Sequence, residues 1–92
     1  MTSAQCRAAR ALVEMDQAHL AEVAKVSRNV VVDFEKGRRM PIANNLAALR
    51  RTLEAAGVIF IDPEGGGAGV RLKTLSQDQG LRPEDLNASN DD

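Results

Sequence analysis

The run Val30-Val31-Val32 constrains this chain more than any other feature, because three consecutive β-branched residues disfavour a helix and suit a strand. Its flanks argue for the helix. Ser27 stands before it as an N-cap, Asp33, Phe34, Glu35 and Lys36 follow at helical spacing, and Gly37 sits where a helix C-terminus takes glycine. A strand would align Val30, Val32 and Phe34 on one face with nothing apolar beyond them. A helix over 28–36 instead buries Val31 and Phe34, three apart, with Val26 packing from the preceding turn. Val30 and Val32 then point elsewhere, between Arg28 and Asn29 on one side and Lys36, Arg38 and Arg39 on the other.

With that stretch helical, residues 1–57 divide into four helices. Ser3 is expected to cap the first, which runs to about Val13 with Cys6, Ala9, Leu12 and Val13 as its apolar face. Asp16 caps a second over 17–24 whose inward face is Leu20, Ala21 and Ala24, and Lys25 and Val26 leave a tight turn before Ser27. Pro41 stops any continuation of the third. Ile42, Leu46, Leu49, Leu53 and Ala56 alternate four and three apart, predicting a fourth helix over 43–56 that Gly57 ends. The period then changes to two. Val58-Ile59-Phe60-Ile61 and Val70-Arg71-Leu72 flank a glycine-rich stretch and predict a hairpin over 58–73 with a long loop. An isolated two-stranded hairpin is marginal in water, so it is expected to pair with a second copy or to pack on the fourth helix. Residues 74–92 are acidic and poor in apolar side chains, which predicts a mostly disordered tail.

Composition narrows the function classes. Phe34 and Phe60 are the only aromatic residues, too few for stacking-based recognition of single strands. A single cysteine forms no internal disulfide, and no apolar run approaches the ~20 residues of a membrane span, so a soluble protein of the reducing cytoplasm is expected, with no membrane partner. Cys6 and His19 lie on different helices without a further soft ligand, and no catalytic set or phosphate loop is present; no metal, no cofactor and no enzymatic activity are expected. The formal net charge of −1 hides a segregation. Residues 1–57 hold nine Lys and Arg against six acids, whereas residues 58–92 hold three against seven.

Two short helices joined by a tight turn, the second opening Ser27-Arg28-Asn29 and running into a basic loop, form a helix-turn-helix pattern. Gln17-Ala18-His19-Leu20-Ala21, Val26-Ser27, Val31, and Phe34-Glu35-Lys36-Gly37-Arg38 followed by Pro41 resemble the phage-repressor-like (XRE) family of regulators over roughly residues 3–57. The resemblance implies a mainly α fold of four to five helices, lambda-repressor-like, here followed by the hairpin. It also implies a transcriptional regulator, in most cases a repressor, that binds a palindromic operator in double-stranded DNA as a homodimer.

The third helix would then be the recognition helix, with Arg28, Asn29, Val30 and Asp33 reaching base edges. Arg suits guanine, Asn adenine, Val a thymine methyl, and Asp33 would accept from cytosine or repel phosphate. By resemblance Gln17 contacts a phosphate, with Ser27, Lys36, Arg38 and Arg39 adding backbone contacts, and Arg10 pairs structurally with Glu35. Val58, Ile59, Phe60, Ile61, Val70 and Leu72 would supply or support the dimer contact. The chain departs from the family pattern at Lys25, where glycine is usual, and at Asp16, where Ser or Thr is more common. A rival reading is an antitoxin or anti-activator whose acidic tail engages a protein partner, with Leu75, Leu81 and Leu86 as its only sizeable anchors.

Overall fold

The valine run is helical. A computed structural model describing residues 1–74 contains α1 (Ser3–Val13), α2 (Gln17–Ala24), α3 (Arg28–Glu35) and α4 (Ala43–Ala55), followed by β1 (Val58–Ile61) and β2 (Gly69–Leu72). At the start of α3, Ser27 Oγ accepts the Val30 N–H at 3.2 Å. At its end Gly37 adopts φ 75°, so that the Gly37 N–H reaches the Phe34 carbonyl at 2.9 Å and the Arg38 N–H reaches that of Asp33 at 2.8 Å. This left-handed stop satisfies carbonyls that the last turn would otherwise orphan. The two caps outweigh the weak helix propensity of the valines. Val31 and Phe34 are buried, and Val30 and Val32 are half-buried.

Thr2, and not Ser3, caps α1. Its hydroxyl accepts the Gln5 N–H at 3.0 Å while Gln5 Oε1 accepts the Thr2 N–H at 2.8 Å, a reciprocal arrangement that Ser3, with Cys6 three residues on, cannot make. Ser3 Oγ donates instead to the Phe34 carbonyl, at 2.6 Å. The buried face of α1 is Gln5, Cys6 and Ala9, with Leu12 and Val13 only half-buried. In α4 the core residues are Leu49 and Leu53, supported by Leu46. Ile42 and Ala56, expected on the same face, stand just outside the two ends of the helix and are exposed.

All four helices and β1 contribute to one core, built from Cys6, Ala9, Leu20, Ala21, Ala24, Val31, Phe34, Leu49, Leu53, Val58 and Phe60. The hairpin is antiparallel, with Val58 opposite Leu72 and Phe60 opposite Val70, and it packs on α1 as well as α4. Gln5, buried on α1, donates from Nε2 to the carbonyls of Ile61 (3.1 Å) and Gly69 (3.0 Å), pinning the loop end of the ladder. On the other flank the Arg50 guanidinium lies 4.9 Å from the Phe60 ring centroid and 3.1 Å from Glu54. Side chains from two helices therefore hold a ribbon that would be marginal alone.

The turn between α2 and α3 has a cost. Lys25 adopts φ 62°, with the Val26 N–H donating to the Ala21 carbonyl at 3.0 Å, so a lysine stands in the left-handed position that suits glycine. Lys25→Gly is expected to stabilise the protein by about 0.5–1 kcal/mol once the extra freedom of glycine in the unfolded chain is subtracted. Thermal melts followed by circular dichroism should show a rise of roughly 2–8 °C. The expected disorder of the tail concerns residues that, after Thr74, lie outside those described.

Candidate nucleic-acid interface

One side of α3 is committed to the core through Val31, Phe34 and Glu35. The helical repeat places Asn29 and Asp33, one turn apart, on the opposite side, with Val30 and Val32 at the borders and Arg28 and Lys36 at the two ends. Ser27, Asn29, Val30 and Asp33 line a shallow depression of about 300 Å³ whose remaining wall is Arg39 and Pro41. The chain reversal after Gly37 thus brings Arg39 alongside the outer face of the helix. Arg28, Lys36, Arg38 and Arg39 are exposed. Only Arg38 has an acidic neighbour within 4 Å among the described residues, Asp33 at 3.9 Å, and both partners are solvated. An exposed pair of that kind contributes little and leaves the arginine available to an outside anion.

Behind this face lies a buried polar hub. Glu35, 4% exposed, accepts from Arg10 Nε and Nη2 at 2.6 Å each, from Gln17 Nε2 at 3.0 Å and from Cys6 Sγ at 3.2 Å. Arg7 donates to the Glu35 backbone carbonyl, and Arg10 Nη1 donates to the Met15 carbonyl at 3.0 Å. Burial by itself would raise the Glu35 carboxyl, but the hydrogen bonds from Arg10, Gln17 and Cys6 outweigh it and hold the group below the ordinary carboxylate value. Burial, then the bond to Glu35, pushes the Cys6 thiol up to about 12, so it stays protonated and acts as a donor. The C-terminal end of α3 is therefore fixed to α1 and α2 by charge-assisted bonds.

The structure brings Arg10 and Glu35 together, and groups Ser27, Asn29, Val30, Asp33 and Arg39 around one depression. Gln17 is turned inward, toward Glu35. One of its two amide N–H groups remains for an external acceptor. The inward strand residues Val58 and Phe60, expected at a dimer contact, have their side chains in the chain's own core. Ile59, Val70 and Leu72 are half-buried, and Ile61 is 41% exposed.

Ser3, Gln5 and Arg7 link elements without being expected from the sequence, and Cys6, expected as apolar filling only, also donates to Glu35. The spacing Thr2-x-x-Gln5 is a capping signature that would have drawn attention to Gln5. Cys6 and Arg10 are four apart on one helix face and could have been grouped. Ser3 and Arg7 carry no local signal, because their acceptors are backbone carbonyls some 28 to 31 residues away. Among the described residues no group of His, Cys, Asp and Glu could hold a metal ion, and no helix is long and apolar enough to cross a membrane. No protein-family model and no curated protein matches the chain.

Proposed function

We propose that this protein is a helix-turn-helix regulator of transcription that binds double-stranded DNA in a sequence-specific way, with α3 entering the major groove. The observation that carries the reading is the two-sidedness of α3. Its inner side is held by the Glu35 hub, while its outer side presents Asn29 and Asp33 among exposed cations, of which only Arg38 has a weak, solvated acidic partner. A rigid helix with hydrogen-bonding side chains at its centre and positive charge around it is what reading base edges between two phosphate strands requires.

In this reading Arg28, Asn29, Val30 and Asp33 contact bases, while Ser27, Lys36, Arg38, Arg39 and the free N–H of Gln17 face the backbone. No cofactor and no catalysis are involved. α3 covers only a few base pairs, so two copies acting on a palindrome with half-site centres ~10 bp apart supply the specificity, and occlusion of a promoter is the simplest output. The open edges of the hairpin, with Ile59 and Ile61 on its outer face, support the dimer contact. The rival, a protein-binding module working through the tail, draws its anchors from outside the described residues and gains nothing from the arrangement around α3.

Selection of duplexes from a random pool at about 0.15 M salt, where sequence-independent binding is weak, tests the proposal. The parent chain should recover a palindrome. Arg28→Ala should bind that palindrome roughly 5- to 150-fold more weakly and lose preference at one position per half-site, as expected for loss of one base contact worth about 1–3 kcal/mol. Failure of the parent chain to enrich any sequence rejects a sequence-specific role.

A further inference from the structure

The charge left unmatched around α3 has a complement within the same chain. Arg28 and Lys36 stand exposed at the two ends of α3 and Arg38 and Arg39 in the loop after it; Glu35 is buried against Arg10, and Asp33, the other acid of that stretch, lies within 4 Å of Arg38 alone. Residues 75–92 carry Asp78, Glu84, Asp85, Asp91 and Asp92 against Arg82 alone. We infer that residues 75–92 dock on this basic face in the absence of DNA and compete with DNA for it, the second clause resting on the function proposed above.

Other basic groups are weaker destinations. Arg71 and Lys73 share the 58–73 segment with the equal number of acids Asp62 and Glu64, Arg50 is already engaged with Glu54, Asp62 and Phe60, and Lys25 and Arg51, which line one depression, are two cations against four. Reach does not limit the contact. Fully extended, residues 75–92 span up to ~60 Å, about twice the ~30 Å breadth of a globule of the size described. Tethering gives the segment an effective concentration on the order of millimolar, at which contacts too weak to hold a free peptide still compete. The leucines of the segment are too few and too spaced to direct it to an apolar surface, so opposite charge selects the site. A tail of this kind discriminates against loosely bound, sequence-independent DNA, because a specific site gains base contacts that the tail cannot match.

The test uses the full chain and a variant carrying D78N, E84Q, D85N, D91N and D92N, all outside the described core. Binding to a 24-base-pair duplex of arbitrary sequence is followed by fluorescence anisotropy, and backbone amide shifts are recorded for both free proteins. The variant should bind roughly three- to tenfold more tightly at 0.05 M salt, with the difference falling below about twofold at 0.3 M as screening increases. Amides of Arg28 and of residues 36–39 should shift between the two proteins while those of β1 stay in place. Unchanged amides overturn the docking whatever the affinities do. Equal affinity with shifted amides overturns the competition. If neither protein binds any duplex while the amides still shift, the DNA reading fails and the intramolecular contact stands.

Discussion

Arg10→Ala is expected to cost about 3–5 kcal/mol, the penalty of leaving a buried charge without its partner. That is most of the stability of a domain this size, so much of the variant should be unfolded at 37 °C. Glu35 is 4% exposed and would retain only the Gln17 amide and the Cys6 thiol as side-chain donors, neither of them charged. Acidity provides a second readout with a definite sign. In the parent protein the Glu35 carboxyl is depressed by its hydrogen bonds, so the stability it contributes is present above the unfolded value, near 4.3, and is lost as pH falls through the lower folded value. Without Arg10, burial, the largest single influence on this carboxyl, is expected to raise the folded value above the unfolded one. The variant should therefore gain stability as pH falls from 7 toward 5, narrowing its gap to the parent. Urea melts at both pH values measure this. Adding Glu35→Gln to Arg10→Ala should recover part of the loss at pH 7, because the buried charge is then gone. A loss below about 1 kcal/mol for Arg10→Ala would show that the pair does not hold α3 in place.

The sequence exposes local features of this fold more readily than long-range ones. The valine run reads as a helix because its caps are local: Ser27 and Gly37 settle what the valines leave ambiguous. Asp16, Pro41 and Gly57 mark their boundaries for the same reason. The signature of Thr2 is equally local, but the Ser3 hydroxyl one residue later competes with it. The hairpin's alternation shows that one face is buried but not against what, and Val58 and Phe60 meet this chain's own α1 and α4. The direction of the Gln17 amide depends on how close the end of α3 lies to the start of α2, a distance fixed only when the core forms. The pairing of Arg10 with Glu35 is legible only through the family resemblance, since nothing in the local sequence links positions 25 residues apart. Gln5 lies beyond such reading altogether, because its partners are carbonyls of a hairpin whose position its own side chain helps to set.

Replacing Lys36, Arg38 and Arg39 together by Gln should separate affinity from sequence preference. All three are exposed, and none makes a side-chain contact on which the core depends, so the fold and melting temperature should stay near those of the parent. Each phosphate contact releases about 0.9 of a counterion from duplex DNA, so losing three should reduce the slope of log affinity against log salt by about 2.7. The deficit should be on the order of 100-fold at 0.05 M salt and shrink by roughly 40-fold by 0.2 M, because counterion release is worth less as salt rises. The preferred palindrome should not change if, as proposed, these side chains position the protein without reading bases. Arg28→Ala should make the complementary change, relaxing the preferred sequence while altering the salt slope little. Equilibrium titrations of both variants at four salt concentrations distinguish the two. If the triple variant instead lost sequence preference at an unchanged slope, the loop after α3 would be reading bases, and α3 would have to lie differently in the groove. An unaltered affinity and slope would mean that the basic face is not where DNA lies, and the exposed side of α3 would then need a different partner.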